Sequence, residues 1–193
     1  MKRPTQILSV ALVFWLAALT GQAVAEGQPS REKWAETIAS PLLKNFHRVS
    51  EDLYRGAQPS AEGMKEIVRL GIRTVINLRS WNSDDELLRG TAIRPIHIRT
   101  NAWGINDDEV VRFLRAMNKK EDGPFFLHCK HGADRTGAMA AMYRMAFQGW
   151  TKEEAIREMT QGDFGFHAIW KPSLLRYIRK VDVQALKQKA GVK

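Results

Sequence analysis

The stretch 125-FFLHCKHGADRTG-137 decides how this sequence is read. Pro124 precedes an apolar run short enough to be a buried strand, Phe125 to Leu127. After Gly137, Ala138, Met142 and Met145 recur at helical spacing. Between strand and helix lies a short loop rich in basic residues, with the chain's single cysteine, Cys129, at its start. Lys130, His131, Gly132, Ala133 and Asp134 separate Cys129 from Arg135, and Thr136 and Gly137 open the helix. A loop of this length can curl so that its backbone N–H groups converge on a tetrahedral anion, and the helix N-terminus adds positive potential. Gly132 permits a positive φ or a close backbone approach. The Arg135 guanidinium can hold two anion oxygens at once. A field that binds an anion also favours a thiolate, and cysteines so placed fall from a pKa of about 8.5 to roughly 3.5–7.5. The loop therefore predicts an anion cradle with a charged nucleophile in it.

Outward from this loop, strand and helix patterns alternate. "FHRVSEDLYRG" reads as two short strands around Ser50, Glu51 and Asp52. Ser60 caps a helix bearing Met64, Ile67 and Val68, which Gly71 ends. "RTVINLR" is a buried-strand candidate, and "IRPIHIR" a second, placed near an edge by Pro95. Asn106 and Glu109 form a capping box before Val110, Phe113, Leu114 and Met117. Thr151 and Glu154 form another, before a helix reaching about Met159, and Leu174, Leu175, Ile178 and Val181 mark a last helical stretch. Residues 26–45 read as a loose lead-in with a short helix near Trp34 to Ile38. The pattern predicts one α/β domain: a mostly parallel sheet of about four to five strands flanked by helices, with the loop between the last strand and the following helix. Ligands in such sheets bind beyond the carboxyl ends of the strands, where Cys129 falls. The predicted organisation is a signal peptide over 1–25, the lead-in over 26–45, the core domain over 46–182 and a helical tail over 183–193.

The N-terminus has a basic start at Lys2 and Arg3, an apolar run from Ile7 to Leu19, and Ala23-Val24-Ala25 as a small-x-small cleavage site. The run is shorter than the roughly 20 residues a spanning helix needs. Export is expected, to the periplasm or the medium, with cleavage near Ala25 and no stable membrane anchor afterwards. The 193 residues carry a formal charge of +9; without Lys2 and Arg3 the remainder keeps +7, a surplus that favours anionic partners. No basic run with interleaved aromatics points to nucleic acid. A lone cysteine cannot close an internal disulfide. One cysteine and five scattered histidines offer no metal-ligand spacing, so no metal and no cofactor are expected.

"HCKHGADRTG" resembles the phosphate-binding loop of the cysteine-based protein tyrosine and dual-specificity phosphatases: His-Cys, five residues, Arg, then Ser or Thr. "LYRGAQPSAEGMKEIVRLGIRTVINLR" is similar to the start of small bacterial dual-specificity-like members, so the resemblance spans roughly residues 46 to 180. It implies attack of Cys129 on phosphorus, a cysteinyl-phosphate, and its hydrolysis by water. Arg135 and the loop N–H groups of residues 130–135 would hold the equatorial oxygens. Thr136 would hydrogen-bond the departing thiolate, His128 would orient the cysteine from behind, and Gly137 would support the loop where the helix opens. Lys130 and His131 would add charge at the rim, or form a solvated surface pair. Trp103 and Trp170 would wall the pocket, or merely pack.

The proton donor departs from the family pattern. Many members carry an aspartate on a mobile loop that here reads "RTNAWGIN", without an acid. Asp134 is the first alternative, since "DRT" resembles phosphoinositide-phosphatase branches in which a loop aspartate is proposed as donor. Asp107 and Asp108 come next, although acids in a first helical turn serve the helix dipole. Asp84 and Asp85 are a third option, or a plain polar turn. The implied substrates are phosphotyrosine or other phosphorylated proteins, with phosphoinositides, inositol phosphates and lipid phosphates as the alternative. A sulfurtransferase or a silent phosphate-binding module are more distant readings. The first has no need of a loop ending in Arg-Thr-Gly, and the second has no need of a nucleophile.

Overall fold

A computed structural model describes residues 34–193. The leader expected over 1–25 lies outside the described residues. Thirteen elements follow in order: β1 (Glu36–Thr37), β2 (His47–Arg48), β3 (Leu53–Gly56), α1 (Ala61–Arg69), β4 (Thr74–Asn77), β5 (Arg94–His97), α2 (Asp107–Met117), a 3₁₀ turn (Lys120–Asp122), β6 (Phe125–His128), α3 (Asp134–Gln148), α4 (Lys152–Gln161), α5 (Pro172–Lys180) and α6 (Val183–Ala190). They build one six-stranded mixed sheet in the order β1-β2-β3-β6-β4-β5. The four strands β3, β6, β4 and β5 run parallel, and β1 and β2 extend the sheet antiparallel.

The sixth strand comes from the segment expected to be helical. Glu36 and Thr37 pair with Arg48 and His47 as β1. The helix-forming residues around Trp34 lose to this tertiary pairing, which a local propensity does not register. Elsewhere the local signals hold. Ser60 caps α1, both capping boxes form, and Gly71 and Gly149 take positive φ at helix ends. Pro95 lies on β5, the edge strand.

Alternation along the central strands divides the core. Phe125 and Leu127 of β6 and Ile76 of β4 join the larger cluster with Val110, Phe113 and Leu114 of α2 and the body of α3. Phe126 and Val75 face the other side, against Met64 and Ile67 of α1. α3 is buried over most of its circumference, as a helix enclosed by α4, α5, α6 and the sheet must be. It even buries an arginine. Arg144 Nε and Nη2 donate to Glu158 of α4 at 2.8 and 2.5 Å, and Nη1 donates to the Val49 carbonyl at 3.0 Å. Glu158 also accepts from the Ala35 backbone N–H at 2.7 Å, so one buried ion pair ties α3 and α4 to the N-terminal segment. The tail is packed too: Leu186, Ala190 and Val192 are buried against α2 and α3. Among the described residues, no helix is long and apolar enough to cross a membrane.

Candidate active site

β6 ends at His128, and the loop that follows turns back into α3 at the carboxyl edge of the sheet. Period-two alternation puts His128 on the α1 side, stacked on Phe126 at 5.6 Å between centroids, and Cys129 on the α2–α3 side. Gly132 adopts φ +72°, the left-handed turn that bends the loop. A Cβ there would lie 2.4 Å from the Gly56 carbonyl carbon, so the loop is pressed onto the end of β3. Gly137 likewise leaves room for Met159. The N-cap of α3, Ala133, has no side chain to cap the helix.

Among the described residues, no protein acceptor takes the backbone N–H groups of residues 130–136; the first bonded N–H after them is that of Gly137, to Ala133. Unpaired N–H groups in such a run need an acceptor, and a curled loop aims them at one point. Arg135 stands beside them. Its Nη1 donates to the carbonyls of Leu78 and Thr100 at 3.1 and 3.2 Å, just past the ends of β4 and β5. The loop borders a cavity of about 350 Å³ lined by Ala102, Cys129, Lys130, His131, Asp134, Arg135, His167, Trp170 and Lys171. Cys129 is 3% exposed, at the floor rather than the rim.

Several supports come from far away in the chain. His128 Nε2 donates to Asp84 Oδ2 at 2.7 Å, and Nδ1 lies 3.2 Å from the Cys129 carbonyl. Asp84 is buried and holds the histidine behind the loop, so it is not the plain turn residue expected from its neighbours. Arg55 of β3 is 1% exposed and donates to the Gly132 carbonyl at 2.8 Å, with its guanidinium 4.0 Å from the centre of the Phe164 ring. Burial pulls its pKa down to about 10, against the opposing pull of Glu158 and Cys129. Asn45, itself left-handed at φ +52°, donates through Nδ2 to the carbonyls of His131 and Phe164 at 3.0 and 2.9 Å. Asp84, Arg55 and Asn45 all stand far from the loop in sequence, and no periodicity marks them.

The acids expected as proton donors separate. Asp134 lines the cavity. Its Oδ1 accepts from the His167 backbone N–H at 3.0 Å, and His167 Nδ1 lies 3.1 Å from both of its oxygens. Asp107 instead accepts from the Tyr177 hydroxyl at 2.8 Å, which with burial raises the phenol's pKa, and it lines a separate surface depression with Asp108 and Lys189. Thr136 is buried and among the described residues its hydroxyl finds no hydrogen-bond partner, the Cys129 sulfur included. Trp170 lines the cavity directly, whereas Trp103 stands behind Lys171, whose Nζ sits 3.8 Å over its ring. Among the described residues, no cluster of three potential metal ligands occurs.

The family described as DSP-PTPase phosphatase fused to NAD+ kinase matches residues 40–176. The chain belongs to this phosphatase family. It is 34% identical over 183 residues, 94% of this chain and 82% of the other, to the dual specificity protein phosphatase TpbA of Pseudomonas aeruginosa. The crystal structure of P. aeruginosa TpbA superposes with a TM-score of 0.72 at 34% identity, covering 82% of this chain and 97% of that one. A cysteine-to-serine form of TpbA in complex with phosphotyrosine matches equally, at TM-score 0.72 and 34% identity, over 82% and 96% of the two chains. An inositol diphosphatase of Arabidopsis thaliana, DSP5, is 28% identical over 154 residues, 75% of this chain and 72% of its own. The neighbours place the chain in the protein tyrosine phosphatase fold and the small dual-specificity-like, cysteine-based group.

Proposed function

We propose that this protein hydrolyses phosphate monoesters of the phosphotyrosine and dual-specificity type through a cysteinyl-phosphate on Cys129. The observation that carries the reading is the run of seven N–H groups, residues 130–136, that find no acceptor among the described residues, beside Cys129 and Arg135. Three equatorial oxygens of a phosphoryl group would take these donors and the Arg135 guanidinium, which the Leu78 and Thr100 carbonyls already hold in place. Cys129 Sγ attacks phosphorus as the ester P–O bond breaks, and the ester oxygen leaves with a proton. Water then attacks phosphorus, the S–P bond breaks and thiolate departs. The Thr136 hydroxyl, buried and unbonded, is free to donate to that thiolate. His128, fixed by Asp84, keeps the Cys129 carbonyl turned away from the incoming phosphate.

An aryl phosphate fits the cavity, since Trp170 supplies an aromatic wall beside the loop. The TpbA complex with phosphotyrosine supports that substrate class. Lys130, His131 and Lys171 at the same opening support more highly charged substrates, including inositol phosphates, as the second reading. The chain is proposed to act outside the cytoplasm, after cleavage near Ala25. Intact mass of the exported protein tests this, and retention of residues 1–25 overturns it. For the activity, phosphate release is measured across phosphotyrosine peptides, phosphoserine peptides and inositol phosphates. Cys129→Ser is expected to bind vanadate yet turn nothing over. Turnover by that variant at the parent rate would remove the covalent mechanism.

A further inference from the structure

The geometry points to His167 as the proton donor of this site, with Asp134 as the residue that positions it; the inference rests on the phosphatase reading above. The loop that supplies an aspartate in many relatives contributes Ala102 to the cavity here, and no acid. Asp107 and Asp108 line another depression, and Asp84 is buried against His128. Asp134 is the carboxylate left, and its oxygens are engaged by one residue. Two hydrogen bonds from His167, backbone N–H and ring Nδ1–H, converge on it. The ring lines the cavity with Cys129 and Arg135, and among the described residues no protein group bonds to Nε2. A carboxylate on Nδ1–H fixes the tautomer and stabilises the imidazolium, which leaves Nε2 to exchange a proton with substrate.

The chemistry balances without a further reactant. The Cys129 thiolate forms the S–P bond while the ester P–O bond breaks, and the leaving oxygen takes the Nε2 proton of imidazolium. Neutral Nε2 then accepts a proton from the water that attacks phosphorus, the S–P bond breaks, and the thiolate and imidazolium are restored. His131 also lines the cavity, but among the described residues no carboxylate orients its ring. The other charged groups that face His167 are Lys130, Lys171 and Arg135, which favour an anionic ester.

The test compares kcat/KM for p-nitrophenyl phosphate, whose leaving group needs no proton, with that for a phosphoserine peptide or another alkyl phosphate. In His167→Asn the alkyl ester is expected to lose about 10²–10³-fold while p-nitrophenyl phosphate stays within about fivefold, because general acid catalysis is typically worth 10²–10⁴-fold. The basic limb of the kcat/KM profile disappears in the same variant. Asp134→Asn keeps the basic limb, since the donor survives, and loses alkyl-ester rate less than His167→Asn does. Equal losses on both esters in His167→Asn would mean that the ring only holds its loop, and the inference falls. Selective loss in Asp134→Asn or in His131→Asn, with His167→Asn normal, would reassign the donor and also overturn it. Failure of the phosphatase reading itself would look different: the parent protein would release no phosphate from either ester.

Discussion

Replacing Gly132 by alanine separates the geometry of the loop from the stability of the fold. The new Cβ would lie 2.4 Å from the Gly56 carbonyl carbon, 2.5 Å from its oxygen and 2.6 Å from the Ala57 nitrogen. All three are backbone atoms at the end of β3, and β3 is locked to β6 by parallel pairing, so the loop has to lift instead. Reaching ordinary van der Waals contact takes a retreat of about 1 Å, and a misplacement of that size at a catalytic centre costs about 10²-fold. A left-handed alanine adds roughly 1–2 kcal/mol of strain. For a domain of this size each kcal/mol lowers Tm by about 2–4 °C. The expected outcome is kcat/KM for p-nitrophenyl phosphate lower by at least about 100-fold. Tm, read by scanning calorimetry, falls by about 2–8 °C. Gly149→Ala is the control. That glycine also has positive φ, +70°, but no atom lies within 4 Å of the Cβ position. It carries the strain without the collision, so it loses stability and keeps activity. A Gly132→Ala protein with kcat/KM within threefold of the parent would refute the claim that the loop is set by its contact with β3.

Three other perturbations have defined outcomes. Glu158→Ala strands the buried Arg144 guanidinium, which costs about 3–5 kcal/mol, so Tm falls by roughly 10 °C or more; a fall under 2 °C would show that water reaches the arginine. Arg55→Met removes the donor to the Gly132 carbonyl and the buried cation beneath the loop, and titration with vanadate is expected to show affinity lower by about tenfold; unchanged affinity would limit Arg55 to packing. Burial, with help from Arg55, depresses the His47 pKa from 6.5 to about 4. The unfolded chain therefore takes up a proton near pH 6.5 that the folded chain refuses until about pH 4, and stability falls as pH drops through that window. Urea midpoints measured across it are expected to decline, and His47→Gln flattens the decline; an identical slope in the variant would exclude His47 as its source.

The loop was legible because its chemistry is contiguous. Cys129, Gly132 and Arg135 lie within one turn between a strand and a helix, and the φ expected at Gly132 is the φ observed. Helix ends were legible for the same reason, since a capping box spans four residues. What could not be read is what the sheet brings together. Asp84 reaches His128 across 44 residues, Arg55 reaches Gly132 across 77, and Asn45 reaches Phe164 across 119. Nothing local distinguishes Asp84 from Asp85, yet one is buried and the other exposed. His167 follows "DFGF" in a segment with no periodicity, so its approach to Asp134 leaves no mark in the sequence.

Asn45 has a consequence for portability. One side-chain amide fastens the anion loop to the segment around Phe164, and it is held at the required angle by a backbone turn ahead of β2. The nucleophile and the wall opposite it are thus registered by a residue outside the strand–loop–helix unit that carries the recognisable motif. Moving residues 125–148 onto another sheet of the same topology would transplant the reagent without its jig. A shortened protein starting at Phe46 would keep every motif residue and lose the fastening. Fragments chosen by motif alone would bind anions and work slowly, and restoring the few residues ahead of Phe46 would recover the rate.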